Sequence, residues 1–480
     1  MKLSGLIDGW TGTGDPEIAG LTSDSRAVKP GFLFAALPGV KADGRSFIAK
    51  AIEAGAVAVI APKGTTASVP VFETDNPRRA FSIAVARFFG RQPEVVAAVT
   101  GTNGKTSIAA FVRQIFAFCG RPAASMGTVG IVSPSGERAL SHTTPDPVVV
   151  QAELARLADE GVTHLSLEAS SHGLDQYRLD GVKIAAAAFT NLTRDHLDYH
   201  ETLEAYRDAK LRLFREVVEP DGIAVIDADG EEADAFIAAA VARGLKTVTV
   251  GRKGEALKLT NREAHLDSQV LTVADKKISH IVRLPLAGAF QASNALVAAG
   301  LCIGLGENPF KVFEALSHLK GAKGRLEHVA TSRAGAPIFV DYAHTPDALE
   351  TVLKTLRPHV QAKLRVVFGC GGDRDAGKRP LMGAAAAANA DAVIVTDDNP
   401  RSEEPAAIRA AILAAAPGAA EIGDRAAAID AAVESLQEGD ILVIAGKGHE
   451  AGQIIGSTVL PFDDGDEARR AAVARGGRAL

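Results

Sequence analysis

The 480-residue chain contains little cysteine, little net charge and no long apolar run. Its three cysteines, Cys119, Cys302 and Cys370, form no Cys-x-x-Cys pair and are too scattered for a disulfide framework, which favours reduced thiols. A formal net charge of −6 provides no basic excess for binding nucleic acid or an anionic membrane. Asn389 and Asp391 interrupt the most apolar region, and the first residues contain no signal-peptide core. We therefore expect a cytoplasmic monomer without nucleic-acid or membrane partners.

The order of the sequence patterns predicts an α/β protein of several domains. At about 150 residues per domain, this length corresponds to about three domains. Short β-rich runs alternate with helical patterns through most of the chain, as in parallel sheets with crossover helices. Between residues 255 and 286 the alternation of apolar and polar residues predicts antiparallel strands instead, and a Gly- and Lys-rich break at 321–325 precedes a new α/β series. We predict a small N-terminal α/β domain (1–91), a central nucleotide domain (92–323) and a second α/β domain (324–480).

The stretch VTGTNGKTS at 99–107 is predicted to bind phosphate. It lies between a β-rich run and a helical pattern, a context in which backbone N–H groups and the helix dipole attract anions. In such loops the lysine, here Lys105, contacts the β- and γ-phosphates, and the following hydroxyl, here Thr106, reaches Mg²⁺. The spacing is a variant, because Val99 occupies the usual place of the first glycine and Gly101 follows it. The alternative is an ordinary glycine-rich turn.

Further candidate residues follow two other predicted strands of the central domain. Glu168 ends the run THLSLEAS, and Asp195 and His196 follow the run AAAAFTNL. Ligands of open α/β sheets gather at the carboxyl ends of the strands, so we expect these side chains near the phosphate loop. Glu168 and His196 could hold a hard cation there. The alternative is a capping or ion-paired glutamate and a polar histidine in a turn.

Three charged, glycine-punctuated loops follow predicted strands of the C-terminal domain. They are GCGGDRDAGKRP (369–380), DDNPRSEE (397–404) and GKGHE (446–450). Arg401 offers a planar fork suited to a carboxylate, and Asn399 supplies both a donor and an acceptor. The loops predict a site for a small charged molecule. An Asn-Pro turn with a solvated arginine is the alternative for DDNPR.

Nine motifs in this order resemble those of the Mur ligases: TGTNGKTS, LEASSHGL, NLTRDHLDYH, AYRDAK, GRLE, DYAHTPDAL, GCGGDRDAGKRP, DDNPR and AGKGHE. The resemblance covers nearly the whole chain, including LTSDSRAVKPGFLFAALPGVKADGR at 21–45. It implies a UDP-binding α/β domain, a P-loop-type ATPase domain with added antiparallel strands, and a Rossmann-like domain for an amino acid. The implied activity is an ATP-dependent amide ligase of peptidoglycan synthesis. It adds meso-diaminopimelate to UDP-N-acetylmuramoyl-L-alanyl-D-glutamate through an acyl phosphate, so no protein nucleophile is needed.

The resemblance also implies the catalytic and ATP-binding residues. Lys105, Glu168, His196 and Lys210 are implied in catalysis, and Thr106, Glu168, His196 and Lys210 are implied around Mg²⁺, with Lys210 as a carbamate. From the sequence alone, Lys210 is a solvated lysine on a helix. Contacts with ATP are implied for Gly101, Thr102, Asn103, Gly104, Lys105, Thr106, Ser107, Asn294, Arg325 and Asp341.

The substrate-binding residues are implied in the same way. For the UDP-linked dipeptide they are Ser23, Ser25, Val40, Lys41, Ala42, Thr143, Thr144, Ser170, Gln176 and Arg178. For diaminopimelate they are Arg374, Asp398, Asn399, Pro400, Arg401, Gly446 and Glu450, with Arg401 against the distal carboxylate and Glu450 against the distal ammonium. The chain departs from many relatives at His142, where they have Asn, and from some at Val40 and Lys41, where they have His-Gln.

Three other functions compete with this one. A Mur-type ligase that adds lysine would not need Arg401, because lysine lacks the distal carboxylate. A folylpolyglutamate synthetase is a related ATP-dependent amide ligase, but it would not need the N-terminal uridine-binding segment. A P-loop switch that forms no bond would not need the DDNPR and GKGHE loops.

Overall fold

The computed structural model describes residues 1–39, 43–193, 197–276 and 278–480. Contacts divide the chain into two compact units. The first contains Met1–Lys105, Val112–Thr249 and Gly300–Glu307, and the second contains Thr106–Phe111, Val250–Ala299 and Asn308–Leu480. The predicted α/β class is confirmed, whereas the boundaries drawn at 91 and 323 stay a prediction.

The N-terminal part of the first unit is a small parallel sheet with flanking helices. Its strands are β1 (Gly20–Thr22), β2 (Phe32–Ala35), β3 (Ala56–Pro62) and β4 (Val71–Thr74), paired in that order. The helices are α1 (Leu3–Leu6), α2 (Ile48–Glu53) and α3 (Pro77–Phe89). Local signals set the bounds of α3: the Asn76 side chain caps its start, Pro77 lies in its first turn, and Gly90 ends it in a left-handed conformation.

The main sheet of the first unit carries the phosphate loop on its central strand. Its strands are β5 (Val95–Thr100), β6 (Ala123–Gly127), β7 (Gly130–Ser133), β8 (Gly136–Arg138), β9 (His164–Glu168), β10 (Ile184–Phe189), β11 (Val218–Asp227) and β12 (Lys246–Gly251). They are ordered β12-β11-β10-β5-β9-β6-β7-β8. Strand β5 pairs in parallel with both β9 and β10 and is buried on both faces, which explains its continuous apolar run.

Helices cover this sheet between the strands. They are α4 (Lys105–Phe118), α5 (Pro147–Asp159), α6 (Ser171–Asp175), α7 (Leu197–His200), α8 (Leu203–Arg212) and α9 (Ala233–Arg243), with a π-helical turn at Leu213–Val217. The strands β5, β9 and β10 point the same way, so the loops after Thr100, Glu168 and Phe189 leave one edge of the sheet. Glu168 therefore lies at the same sheet edge as the phosphate loop, whereas its role there stays a prediction.

The second unit contains the predicted antiparallel strands. These are β13 (Leu257–Ala264), β14 (Gln269–Ala274) and β15 (Ser279–Leu284), followed by α10 (Ala289–Gly304) and α11 (Pro309–Leu316). A larger sheet follows with β16 (Glu327–Thr331), β17 (Pro337–Asp341), β18 (Leu364–Phe368), β19 (Ala392–Val395), β20 (Ala420–Glu421) and β21 (Ile441–Ala445). A hairpin of β22 (Gly452–Ile455) and β23 (Thr458–Pro461) and a last strand β24 (Arg478–Ala479) complete the strands of this part.

In the larger sheet the strand order is β20-β19-β18-β21-β17-β16-β24. Its helices are α12 (Pro346–Leu356), α13 (Lys378–Asn389), α14 (Pro405–Leu413), α15 (Arg425–Glu434) and α16 (Asp464–Ala474). Strands β19, β18 and β21 are parallel neighbours, so the three loops singled out in the sequence leave the same edge of the sheet. Among the helices of the described ranges, none combines the length and the apolar character needed to cross a membrane.

Candidate functional site

The phosphate loop is shaped by two glycines with positive φ. Gly101 has a φ of 147°, and a Cβ there would lie 1.9 Å from the Thr190 hydroxyl oxygen. Gly104 has a φ of 89° and immediately precedes the first turn of α4. Only glycine adopts these conformations at little cost, so the loop turns sharply from β5 into the helix. Its N–H groups therefore lie where a helix N-terminus favours an anion.

Side chains after strand β10 hold the loop in this shape. Thr190 donates its hydroxyl to the Asn103 carbonyl over 2.7 Å, and the Asn191 side-chain oxygen accepts the Asn103 N–H over 3.0 Å. The Lys105 ammonium donates to the carbonyls of Gly101 and Thr102, both over 2.8 Å. The loop backbone is thus fixed by neighbours that the P-loop pattern alone did not identify.

Lys210 is buried beside the same loop, which corrects the interpretation of its helix position as solvated. Lys210 is 1% exposed, and its ammonium donates to the Gly101 carbonyl over 2.9 Å. The ammonium also lies 4.4 Å from the centre of the Tyr206 ring. Helix α8 turns the face that carries Tyr206 and Lys210 inward. The mostly polar composition of AYRDAK did not indicate a buried face, because no apolar stripe marks it.

Glu168 ends strand β9 and is 2% exposed. One carboxylate oxygen accepts the Thr128 N–H over 2.8 Å, and the other accepts the Thr128 hydroxyl over 3.1 Å. A Cβ at Gly127 would lie 2.1 Å from a carboxylate oxygen of Glu168, so a larger residue at this position would clash with the carboxylate. Thr128, which was not predicted from the sequence, therefore helps to orient Glu168.

Five residues implied for the UDP-linked dipeptide are joined by hydrogen bonds to Thr128, to the Glu168 backbone or to one another. The Thr143 hydroxyl is 2.9 Å from that of Thr128, and the Thr144 hydroxyl donates to the Glu168 carbonyl and accepts the Ser170 N–H. The Arg178 guanidinium donates to the Thr144 carbonyl over 2.6 Å and to the Gln176 side chain over 2.8 Å. Burial lowers the pKa of Arg178. The structure thus brings together Thr143, Thr144, Ser170, Gln176 and Arg178.

Tyr199 extends this network and was missed by the sequence reasoning. Its hydroxyl accepts from Gln176 over 3.0 Å and donates to Asp175 over 2.7 Å. Burial raises the pKa of Tyr199, and the hydrogen bond to Asp175 raises it further. The motif NLTRDHLDYH contains this tyrosine, but nothing in its spacing separates it from its polar neighbours.

Other predicted residues of the first unit stand apart from the network or outside the described ranges. Ser23 and Ser25 follow strand β1, and no hydrogen bond between described residues joins either to the network. The residues predicted at Val40, Lys41, Ala42 and His196 lie outside the described ranges. Thr106, one residue into α4, is buried. Among the described residues, no three histidine, cysteine, aspartate or glutamate side chains form a group suited to a metal ion.

In the second unit, the residues implied for ATP form one connected group. The Asn294 amide donates to the Gln291 side chain over 3.2 Å, and Gln291 donates to the Arg325 carbonyl over 3.3 Å. Asp341, at the end of β17, accepts the Leu326 N–H over 2.7 Å. Burial raises the pKa of Asp341 to about 6, although the nearby Arg325 charge opposes the shift. Gln291 connects the group and was not predicted from the sequence.

Arg401 is held in a left-handed conformation between two loops. Its φ is 52°, its N–H donates to the Ile454 carbonyl over 3.0 Å, and its carbonyl accepts the Gly456 N–H over 2.7 Å. Its guanidinium donates to the Gly372 carbonyl over 2.8 Å. The hairpin β22–β23 thus fixes the backbone of DDNPR, and the GCGGDRD loop contacts the guanidinium. Arg374 is exposed in that loop.

The remaining residues implied for diaminopimelate meet at the end of β21. Asn399 is 3% exposed, and its amide donates to Glu450 over 2.9 Å. Gly446 has a φ of 113°, and a Cβ there would lie 2.8 Å from the Asp398 carboxylate. Pro400 is buried beside Asn399. The residues predicted from the DDNPR and GKGHE loops therefore lie together at one edge of the sheet, and two of them, Asp398 and Glu450, are carboxylates.

Family models match most of the chain in three consecutive segments. They are the catalytic domain of the Mur ligase family at residues 17–101, the Mur ligase middle domain at 99–302 and the Mur ligase glutamate ligase domain at 324–448. A protein of Bradyrhizobium diazoefficiens is 59% identical over 95% of each chain, and one of Caulobacter vibrioides is 57% identical over 95% of this chain and 96% of the relative. The chain belongs to the Mur ligase family. Both relatives are named UDP-N-acetylmuramoyl-L-alanyl-D-glutamate–2,6-diaminopimelate ligase.

Solved structures agree with this family. A UDP-N-acetylmuramoyl-L-alanyl-D-glutamate–2,6-diaminopimelate ligase shares 37% identity and a TM-score of 0.74 over 96% of this chain and 95% of its own. A folylpolyglutamate synthase of Mycobacterium tuberculosis shares 20% identity and a TM-score of 0.60 over 77% of this chain and 92% of its own. The second likeness is one of fold alone.

Membership of the Mur ligase family decides between the broad alternatives. It confirms the predicted Mur-type architecture and the prediction of an ATP-dependent ligase, and it excludes a switch that forms no bond. The roles given to individual residues stay predictions.

Proposed function

We propose that this chain is the ligase that joins meso-diaminopimelate to UDP-N-acetylmuramoyl-L-alanyl-D-glutamate with consumption of ATP, in the synthesis of peptidoglycan precursors. The observation that carries the proposal is the identity of 59% and 57% with two ligases of that name over 95% of this chain. The grouping of Arg401, Asn399 and Glu450 at one sheet edge supports the choice of amino acid. It offers a guanidinium and a carboxylate to a substrate that carries both charges at its distal carbon.

The proposed reaction has two steps. The terminal carboxylate of the dipeptide attacks the γ-phosphorus of ATP, ADP leaves, and an acyl phosphate forms. The amine of diaminopimelate then attacks the acyl carbon, and phosphate leaves with the electron pair of the C–O bond to give the amide. The chain needs no nucleophile of its own for these steps. Its task is to hold the reactants together and to stabilise the negative charge that develops.

The phosphate loop is proposed to hold the triphosphate. Gly101, Thr102, Asn103, Gly104, Lys105, Thr106 and Ser107 form the turn and the first residues of α4, where N–H groups favour an anion. Lys105 lies along the loop with its ammonium at two loop carbonyls, and it is proposed to turn to the phosphates when ATP binds. Asn294, Arg325 and Asp341 are proposed for the nucleoside, because they form one connected polar group.

A magnesium site fits the chemistry of the residues at the strand ends. Glu168 would offer carboxylate oxygens to Mg²⁺, and the family resemblance adds Thr106 and His196, the latter outside the described ranges. A carbamate at Lys210 would add two oxygens and replace a positive charge beside Lys105 with a negative one. Mg²⁺ bound here would neutralise charge on the transferring phosphoryl group. The buried position of Lys210 beside Gly101 supports this role.

The residues around Glu168 are proposed to bind the UDP-linked dipeptide. Thr143, Thr144, Ser170, Gln176 and Arg178 belong to one hydrogen-bonded network, and Arg178 supplies a half-buried positive charge for an anionic substrate. Ser23 and Ser25 at the end of β1, together with Val40, Lys41 and Ala42, are proposed for the uridine. We further propose that the enzyme acts as a cytoplasmic monomer, with small molecules as its partners. Its three free cysteines are compatible with a reducing compartment.

The amino-acid site is proposed to consist of Arg374, Asp398, Asn399, Pro400, Arg401, Gly446 and Glu450. Lysine lacks the distal carboxylate and would leave the half-buried Arg401 without its anion, which costs about 1.5–3 kcal/mol for a hydrogen bond to a charged group. That difference favours diaminopimelate over lysine by roughly 10- to 150-fold.

The test is phosphate release from ATP in the presence of UDP-N-acetylmuramoyl-L-alanyl-D-glutamate and either meso-diaminopimelate or L-lysine. We expect turnover with diaminopimelate and little with lysine. Turnover with lysine instead would keep the ligase chemistry and overturn the role of Arg401. No turnover with either amine would overturn the proposed substrates, and a folate substrate with glutamate would be assayed next.

A further inference from the structure

The GKGHE loop contains a buried lysine that the proposed reaction does not use. Lys447 follows strand β21, and its side chain is 0% exposed. It stands between Gly446 and Gly448, which have φ values of 113° and 55°. A Cβ at Gly448 would lie 2.7 Å from the Tyr342 Cβ, so this tight turn requires glycine. The two glycines direct the lysine inward rather than into solvent.

The Lys447 ammonium contacts two residues of the proposed amino-acid site. It donates to the Asn399 side-chain oxygen over 3.0 Å and lies 3.5 Å from a Glu450 carboxylate oxygen. Asn399 in turn donates its amide to the same Glu450 oxygen over 2.9 Å. The three side chains therefore form a closed triangle of hydrogen bonds.

This triangle fixes which way the Asn399 amide faces. The Asn399 oxygen receives two donors, the Lys447 ammonium and the Ile454 N–H at 3.0 Å. An amide nitrogen cannot accept from either of them, so the oxygen must face Lys447 and the NH₂ must face Glu450. Without the ammonium, one of the two donors that fix this orientation would be lost. Lys447 and the Ile454 N–H together hold this orientation, and Lys447 also places its charge beside the Glu450 carboxylate.

The charges around the pocket indicate the same role. The buried Arg425 is already matched by Asp464, with two hydrogen bonds of 2.7 Å. Asp398 and Glu450 bring two further carboxylates to this edge of the sheet, and Lys447 is a buried cation beside them. Lys447 offsets one of these two negative charges, and the other remains for the ammonium group of an incoming amino acid, with the Arg401 guanidinium proposed for its carboxylate.

We propose that Lys447 is a positioning residue that sets the geometry and the charge of Glu450 and Asn399 for the incoming amine. The inference rests on the proposed function, because it concerns the site that binds the third substrate. Lys447 acts through these two side chains and makes no contact with the reacting atoms in the proposal. It is expected to affect the amine and not the nucleotide.

The test compares Lys447→Met, which keeps the volume and removes the charge, with the wild type. Initial rates are measured while the amine, ATP and the UDP-linked dipeptide are each varied, with the amine that the wild type uses. We expect the KM for the amine to rise at least tenfold and the KM for ATP to change less than twofold. An unchanged amine KM, or an equal rise for ATP, overturns the proposal. Failure of the proposed function is recognised separately, because the wild type then shows no turnover with diaminopimelate.

Two further variants separate positioning from stability. Lys447→Met combined with Glu450→Gln removes both charges, so it should fold even if the single variant does not. If Lys447 acts through Glu450, the double variant should have an amine KM within about twofold of Glu450→Gln alone, and a further tenfold rise contradicts this. Arg365→Met is the matched control, since Arg365 is a partly buried cation paired with Asp440 at the opposite end of the same sheet. It should lower the melting temperature and leave the amine KM unchanged.

Discussion

Lys105 and Lys210 donate to the same atom, the carbonyl oxygen of Gly101, over 2.8 and 2.9 Å. The first lysine comes from the phosphate loop and the second from helix α8, 105 residues later (210 minus 105). Two ammonium groups at one carbonyl repel each other, and this repulsion is strong because Lys210 is buried. A modification that reverses the charge of Lys210 would turn that repulsion into attraction while leaving Lys105 for the phosphates.

The carbamate on Lys210, which the family resemblance implies, can be tested directly. In buffer with ¹³C-labelled bicarbonate at pH 8, we expect one protected carbamate carbon signal in the NMR spectrum of the wild type. The signal should be absent from Lys210→Arg, and the kcat of that variant should fall at least 100-fold, because arginine does not form the carbamate. Lys354→Arg, on an exposed helix position, is the control and should keep both the signal and the activity. A fully active wild type without the signal would contradict the prediction.

Gly101→Ala should abolish nucleotide binding. The added methyl group would lie 1.9 Å from the Thr190 hydroxyl, so the loop or strand β10 must move. Gly161→Ala is the matched control, because Gly161 also has a positive φ, of 83°, but has open space around its Cβ position. The control should cost only backbone strain, about 1 kcal/mol, and keep ATP affinity. Calorimetric titration with ATP measures the affinity of each variant. An equal loss of ATP affinity in the two variants would show that backbone strain, and not the clash with Thr190, is responsible.

Arg401→Lys should impair the use of diaminopimelate more than that of ATP. Lysine keeps the charge and loses the planar fork, so one of two parallel hydrogen bonds to a carboxylate is lost. At about 1.5–2 kcal/mol, the ratio kcat/KM for diaminopimelate should fall roughly 10- to 30-fold. Arg357→Lys, at an exposed ion pair with Asp391, is the control and should have no effect. A fall in kcat/KM of the same size for ATP would indicate a general disturbance of the domain.

The main lines of the fold were predictable because they follow from local patterns. Strand β5 shows as an apolar run, helix α4 ends where its periodic apolar residues end, and the alternation between 255 and 286 marks the strands β13–β15. The strand-end rule then predicted that Glu168 lies with the phosphate loop. Each of these features depends on residues that are close in sequence.

The candidate site was less predictable because its polar contacts join distant parts of the chain. Thr128 and Glu168 form a hydrogen bond although they are 40 positions apart in the sequence, and Lys447 and Asn399 do so at a separation of 48 positions. A lysine or a threonine in a loop carries no local signal of burial. Residue type alone therefore predicts that such side chains are exposed to solvent. Lys210 shows the error this causes, because its helix is polar on average and yet its side chain is buried.

Asp227 is predicted to make the stability of the enzyme depend on pH. It ends strand β11 and is buried, and this burial raises its pKa to about 6 from an ordinary value of 3.8. The folded state therefore holds a proton that the unfolded state has released between pH 3.8 and 6, and stability falls as the pH rises through that window. Above pH 6 the charged carboxylate should lower the free energy of unfolding by on the order of 2–3 kcal/mol.

Asp227→Asn removes the charge and keeps an oxygen for the Asp229 N–H, which Asp227 accepts over 3.1 Å. The melting temperature of this variant should match the wild type at pH 3.5 and exceed it by several degrees at pH 7.5. Asp221→Asn, exposed on the same strand, should show no such difference, and a constant offset for Asp227→Asn at both pH values would show that packing, rather than charge, is responsible.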